Sequence, residues 1–64
     1  MFRNLEAEQA RKGLTNQQVA DKIGMSRSSY EHKKKTGKFY LSEIFDLCEL
    51  FDCDFLYLFA KDAA

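Results

Sequence analysis

Apolar residues recur every three to four positions along most of this chain of 64 residues, the spacing of amphipathic helices. Five such stretches are separated by short polar or glycine-containing breaks. We predict helices over roughly these ranges: 2–12, 15–23, 26–34, 42–51 and 55–61. The five β-branched residues (one Val, two Ile and two Thr) are too few for a sheet. The chain is therefore predicted to be a single all-α domain spanning residues 1–64.

The second and third predicted helices are separated by very few residues. Thr15 opens a capping-box pattern that starts the second helix, and Gly24 ends it because glycine takes positive φ at no steric cost. Ser26 caps the third helix only two residues later. With the small Ala20 at the crossing and Tyr30 holding the third helix against the second, this spacing is typical of a helix-turn-helix.

The last third of the chain is strongly apolar. Ser42 is expected to cap the fourth helix, and Asp52 or Asp54 the fifth. A single apolar stripe with helical spacing is predicted to continue across both helices. Its members are Leu41, Ile44, Cys48, Phe51, Phe55 and Leu58.

The outer face of the third predicted helix carries polar side chains that suit a DNA major groove, which admits one α-helix. Arg27 matches guanine with two hydrogen bonds, and His32 donates to guanine or to a phosphate. Ser28 lies beside them. We predict that Arg27, Ser28 and His32 read bases.

Amide and cationic side chains flank this helix at positions suited to phosphates. The free N–H groups at the start of the second helix favour an anion. Lysines at the far end of the third helix hold a phosphate backbone without reading sequence. Ser26 is expected to act as a cap and to touch a phosphate as well. The predicted phosphate contacts are Asn16, Gln17, Ser26, Lys33, Lys35 and Lys38.

The net charge is zero, but its distribution is uneven. Residues 1–38 hold nine Lys or Arg against four Asp or Glu, a net of +5. Residues 39–64 hold one lysine against six acids, a net of −5. Such asymmetry indicates a basic working half that binds nucleic acid and an acidic half that turns away from it.

The run GLTNQQVADKIGMSRSSY at residues 13–30 resembles the helix-turn-helix family of Cro and the phage repressors, also called Xre-type. That family's pattern is roughly G-L-T-Q-x-x-L-A-x-x-x-G-V-S-x-x-x-I. The resemblance implies a compact five-helix, lambda-repressor-like domain that binds double-stranded DNA sequence-specifically, usually as a dimer on a two-fold operator. It also implies that Arg27, Ser28 and His32 fall at base-reading positions.

By the same resemblance, Asn16 and Gln17 fall where the family contacts phosphate, with Asn16 standing where glutamine is commonest. Family members often pair an arginine of the first helix with a glutamate after the third. Here those places hold Gln9 and Lys34, so we expect that ion pair to be missing.

These features together predict a small transcriptional repressor of bacterial or phage origin. The start of the chain has no signal-peptide pattern, so we expect a cytoplasmic protein. The longest apolar run, residues 55–60, is far short of the ~20 residues that span a bilayer. One histidine and two cysteines are too few for a metal site. We expect no cofactor, no small-molecule ligand and no enzymatic activity, since no nucleophile has both a base and an orienting acid.

Residues 41–59 contain thirteen apolar residues among nineteen, more than one buried stripe needs. The excess predicts a homodimer surface formed by Leu56, Tyr57 and Phe59, which would place two third helices about 34 Å apart, one turn of DNA. The alternative is a protein–protein interaction module on the same fold, antitoxin-like or an anti-repressor partner, that uses this acidic and aromatic half.

Overall fold

The computed structural model describes residues 1–61, and all regular structure in that part of the chain is helical. The helices are α1 Arg3–Arg11, α2 Asn16–Ile23, α3 Arg27–Thr36, α4 Leu41–Phe51 and α5 Phe55–Leu58. The prediction of an all-α chain with five helices is confirmed. The Cα radius of gyration is 10.6 Å, close to the ~11 Å expected of a compact chain this long. No helix in the described part is both long and apolar enough to cross a membrane.

Several predicted boundaries were wrong. The third helix continues past 34 to Thr36, where Gly37 with φ +78° ends it. The fifth helix ends at Leu58 rather than 61, because Phe59 leaves the helical conformation. The last three residues of the predicted domain, 62–64, lie outside the described residues.

The fourth helix begins one residue earlier than predicted, and Ser42 is not its cap. Tyr40 is the N-cap, and its backbone N–H donates to Glu43 Oε1 at 2.9 Å. A glutamate at the third helical position thus satisfies a backbone donor that would otherwise be unpaired. For the fifth helix, Asp54 is the cap and accepts from Leu56 N at 3.0 Å.

The core lies between the five helices. Its fully buried side chains are Leu5, Val19, Ala20, Tyr30, Leu47 and Leu58. Each of the larger apolar ones contributes about 1.5–3 kcal/mol by leaving water. At one end of the core, Phe59 packs edge-on against Phe2 and Phe39, with ring centroids 5.3 and 5.6 Å away.

The predicted apolar stripe of α4 and α5 faces inward only in part. Phe51 is buried, but Leu41 is 65% exposed and Phe55 is 49% exposed. The fully buried residue of α4 is Leu47, which the stripe omitted. Leu41 is six residues before Leu47, so at 100° per residue the two side chains lie about 120° apart around the helix axis. In α5 only Leu58 of the stripe is buried, and Asp52, with φ +51°, redirects the chain between the two helices.

Candidate nucleic-acid interface

A three-residue connection fixes α2 against α3. Gly24 takes φ +76° at the end of α2, and a Cβ there would meet no atom within 4 Å. Glycine is therefore required by the backbone conformation rather than by space. Met25 N donates to Ala20 O at 3.0 Å, and Ser26 Oγ caps α3 by accepting from Ser29 N at 3.1 Å.

The start of α2 is closed by both bonds of a capping box. Gln18 N donates to Thr15 Oγ1 at 3.1 Å, and Thr15 N donates to Gln18 Oε1 at 2.8 Å. Two of the backbone donors at this end are thereby satisfied, and the helix has a fixed first turn. Asn16 and Gln17, the two residues that follow Thr15, lie in this first turn and are thereby held at a defined place relative to α3.

The two sides of α3 differ sharply. Tyr30 points inward and is fully buried. The three predicted base-reading residues, Arg27, Ser28 and His32, are exposed on the outer side. Arg27 Nε lies 3.9 Å from Glu31 Oε2, one turn along the helix, and the Arg27 side chain is 61% exposed. This outer face is therefore available to a groove, with a single weak ion pair on its arginine.

The predicted phosphate contacts at the start of α2 have different surroundings. Gln17 is exposed, and its Nε2 donates to Asp21 Oδ1 at 2.8 Å on the same helix. Asn16 is half-buried, and its Nδ2 donates to Glu31 Oε2 at 2.9 Å. Asn16 is thus joined to α3, and a phosphate would compete with Glu31 for its amide.

The lysines at the end of α3 and just after it also differ in their surroundings. Lys35 and Lys38 are exposed, as a phosphate contact needs. Lys33 Nζ lies 2.8 Å from both carboxylate oxygens of Glu43 and 4.2 Å from the centre of the Tyr40 ring. A phosphate that binds Lys33 would have to draw it away from Glu43.

Lys34 is buried, although the sequence pattern groups it with the surface lysines. Its Nζ donates to Asn16 Oδ1 at 2.7 Å, and both carboxylate oxygens of Glu6 lie 3.0 Å away. It also lies 4.7 Å from the centre of the Tyr30 ring. The sequence spacing indicates this burial, because Lys34 follows the buried Tyr30 by four residues and so lies on the same face of the helix.

The ion pair expected to be absent is replaced by another. Gln9 and Lys34 meet through a long hydrogen bond, Nζ to Oε1 at 3.5 Å. Glu6, one turn before Gln9, supplies the carboxylate instead. An ion pair does link α1 to α3, with the acid on α1 and the base on α3, which is the reverse of the polarity that the resemblance implied.

Gln9 joins the same group of side chains from α1. Its Nε2 donates to Leu14 O at 3.1 Å and to Asn16 Oδ1 at 3.0 Å, while its Oε1 accepts from Tyr30 Oη at 2.7 Å. Burial, and then the charge of Glu6, raises the pKa of Tyr30. The phenol therefore stays a proton donor at all ordinary pH values.

We call these six side chains, which join α1, α2 and α3, the interhelix network: Glu6, Gln9, Asn16, Tyr30, Glu31 and Lys34. No buried side-chain nitrogen or oxygen among residues 1–61 lacks a hydrogen-bond partner. Since an unpaired buried polar group costs about 1–3 kcal/mol, the closure of the network matters for stability.

Of the three predicted dimer residues, Leu56 and Tyr57 are exposed and Phe59 is half-buried. Leu56 is 76% exposed, but Phe59 packs on the core. Tyr57 Oη donates to Glu8 Oε2 at 2.7 Å, which fastens α5 to α1, and this bond raises the pKa of Tyr57. The other large exposed side chains of this half, which the prediction did not include, are Tyr40, Leu41, Phe45 and Phe55.

Among residues 1–61, no three His, Cys, Asp or Glu side chains are grouped to hold a metal ion. Cys48 and Cys53 are half-buried free thiols, and desolvation raises the pKa of both.

No protein-family model matches this chain, and comparisons with curated proteins and with solved structures give no match. The geometry of the α2–α3 surface is thus what bears on function.

Proposed function

We propose that this chain is a sequence-specific double-stranded DNA-binding protein, a non-enzymatic regulator of transcription that acts as a repressor. The observation that carries the proposal is the division of α3 into two sides. Tyr30 and Lys34 fix the inner side against α1 and α2. Arg27 and His32 remain exposed on the outer side, where they would meet base edges in the major groove.

The connection between α2 and α3 supports a helix-turn-helix of the Cro and phage-repressor kind. The left-handed Gly24, the fully buried Ala20 and the cap at Ser26 are the features such a turn requires. They hold the outer face of α3 at a fixed angle to α2, as groove recognition demands.

The charge distribution supports the same docking direction. Gln17, Lys35 and Lys38 are exposed and would contact phosphates. The acids of α4 lie in the other half of the chain and would keep that half away from DNA. Binding should therefore weaken steeply as salt concentration rises.

The experiment is selection from random duplex DNA with wild type and Arg27→Ala in parallel. We expect one enriched sequence with wild type and loss of discrimination at one base pair with the variant, worth about 1–3 kcal/mol. Arg11→Ala removes an exposed arginine of α1 and is the matched control, which should keep the preference. Equal recovery of all duplexes by wild type would contradict the proposal.

We also propose that the protein is cytoplasmic and forms a homodimer. The dimer would place two copies of α3 on a two-fold operator. Leu56 supports this because its large apolar side chain is 76% exposed, and a second copy that covers it would remove apolar surface from water. Half-sites one helical turn apart in the selected sequences would support the dimer, and single half-sites would oppose it.

A protein-interaction module is the second candidate, antitoxin-like or an anti-repressor partner. The observation that favours it is the exposure of Tyr40, Leu41, Phe45 and Leu56 in the acidic half. Binding to a protein partner that survives Arg27→Ala but is lost in Phe45→Ser or Leu56→Ser would select this candidate. Substitution of Phe59 would not discriminate, because that side chain packs on the core.

A further inference from the structure

The interhelix network ends beside the arginine that is proposed to read a base. Its buried end is the Lys34 ammonium, which donates to Asn16 Oδ1 at 2.7 Å. Gln9 Nε2 donates to the same oxygen at 3.0 Å. Since both groups are donors, the Asn16 amide is held with its oxygen toward Gln9 of α1 and Lys34 of α3, and its nitrogen away from them.

This orientation aims the Asn16 nitrogen at Glu31, three residues before Lys34 on α3. Its Nδ2 donates to Glu31 Oε2 at 2.9 Å, so the carboxylate is held from the α2 side rather than left to rotate in solvent. The same Oε2 is the atom that lies 3.9 Å from Arg27 Nε. Glu31 Oε2 therefore accepts the last hydrogen bond of the network, from Asn16, and also faces Arg27.

We infer that Asn16 and Glu31 are positioning residues for Arg27, and that they set how strongly α3 discriminates between bases. The inference rests on the proposed DNA-binding function. A guanidinium that keeps its Nε beside Glu31 presents its two terminal nitrogens outward. Those nitrogens then form the edge that pairs with the O6 and N7 atoms of guanine. Neither Asn16 nor Glu31 needs to touch a base for this effect.

The size of the effect follows from the exposure of the pair. Because the Arg27 side chain is 61% exposed and the ion pair is long, its contribution lies in the range of surface pairs. Loss of the positioning should reduce discrimination at the Arg27 base pair by about two- to fivefold. Complete loss is expected only when Arg27 itself is removed.

Two variants break the link from opposite ends. Asn16→Asp keeps an acceptor for Gln9 and Lys34 but replaces the donor to Glu31 with a repelling oxygen. Glu31→Gln removes the charge that faces Arg27. Overall DNA affinity should fall with Asn16→Asp, which adds a negative charge, and rise with Glu31→Gln, which removes one. Discrimination at the Arg27 base pair should fall in both.

Opposite changes in affinity with the same change in discrimination would not arise from a merely structural defect. Glu49→Gln removes an exposed acid of α4 and is the charge-matched control, expected to keep discrimination intact. In an Arg27→Ala background, Asn16→Asp and Glu31→Gln should no longer change base preference, because the residue that they position is gone.

The experiment measures affinity for the selected duplex and for its single-base variants, alongside the order of the Arg27 Nε–H group by NMR in the free protein. Wild type should show a more ordered Arg27 side chain than Asn16→Asp does. If wild type prefers a sequence, Arg27→Ala relaxes it, and both positioning variants retain full discrimination, the inference is overturned while the proposed function stands. If wild type shows no sequence preference, both are overturned.

Discussion

The contact of α1 with α2 and α3 and the pairing of α4 with α5 are held together by different chemistry. The first is crossed by directional hydrogen bonds: Lys34 and Gln9 donate to Asn16, and Tyr30 donates to Gln9. The second uses buried side chains such as Leu47, and leaves Phe45 and Leu56 largely in solvent.

The difference bears on precision. A hydrogen-bond network tolerates only narrow distances and angles, so it specifies how α3 sits relative to α1 and α2. Apolar contacts stabilise without direction and accept many arrangements. The helix proposed to read bases is thus mounted on the part of the molecule whose geometry is most constrained, and the exposed apolar side chains lie in the other part.

The largest effect is expected from Leu47→Ala in α4. Removal of a fully buried leucine side chain should lower the free energy of unfolding by about 2–5 kcal/mol, through lost burial and the cavity left behind. Urea denaturation followed by far-ultraviolet circular dichroism measures the change. Since a chain of this length has only a few kcal/mol of stability in total, part of the population should be unfolded in water.

Leu41→Ala is the matched control, the same chemical change in the same helix. Leu41 is 65% exposed, so its loss should change stability by less than about 0.5 kcal/mol. Equal destabilisation by the two variants would show that α4 does not pack on the core through the face that carries Leu47.

This pair of leucines also shows which parts of the fold the sequence could predict. Helix breaks at Gly24 and Gly37 are local, because a glycine that takes positive φ ends a helix regardless of distant packing. The third helix nevertheless extends two residues beyond its predicted end at 34. The face that α4 buries is not local. Apolar residues surround that helix on several sides, so spacing alone could not choose Leu47 over Leu41, and only contact with α2 and α5 decides.

A smaller effect is expected from Lys34→Met in the interhelix network. The methionine stem fills similar space, but Glu6 and Asn16 lose their ammonium donor. We expect a loss of about 1–2 kcal/mol, limited because Gln9 still donates to Asn16 and water reaches Glu6. Thermal and urea unfolding measure it. An unchanged stability would mean that desolvation of the buried ammonium cancels its bonds.

Lys35→Met is the adjacent control and should show the reverse pattern. Its side chain is exposed, so stability should stay within about 0.5 kcal/mol. If Lys35 contacts a phosphate, the slope of log affinity against log salt should fall by about one. A loss of stability without a change of slope would reverse the roles assigned to the two lysines.

The interhelix network shows where prediction of the site reaches its limit. Arg27, Ser28 and His32 could be chosen from position on one helix, and all three are exposed. Pairing between Lys34 and Glu6 depends on how α1 crosses α3, twenty-eight residues apart in the chain. Lys34 follows Tyr30 by four residues, and this spacing indicates the buried face of α3. A run of three lysines is usually solvated, however, so the sequence alone favoured an exposed Lys34.

Tyr30→Phe should have a smaller effect, about 1 kcal/mol at neutral pH, because one hydrogen bond to Gln9 is lost while the ring stays buried. The effect should depend on pH. Since burial raises the pKa of Tyr30 in the folded state, the unfolded chain gives up this proton first once pH rises above about 10. Wild-type stability then falls with pH, and its advantage over Tyr30→Phe should shrink.

Urea titrations of the two proteins at several alkaline pH values measure the difference. Lysine side chains and Tyr57, whose pKa is also raised, are present in both proteins and cancel in the comparison. A stability difference that stays constant through this range would show that the Tyr30 hydroxyl is open to solvent.

The smallest effect on folding is expected from Leu56→Ser on α5. With 76% of the side chain exposed, the free energy of unfolding of the monomer should change by less than about 0.5 kcal/mol. The dimerisation affinity should fall much more, because in a two-fold dimer both copies bring the substituted polar side chain into the same interface. Sedimentation equilibrium over a wide range of protein concentration measures this, with Leu41→Ser as the control at another exposed leucine. If Leu41→Ser disrupts association and Leu56→Ser does not, the self-associating surface lies at the start of α4, and the two copies of α3 would meet DNA in a different relative orientation.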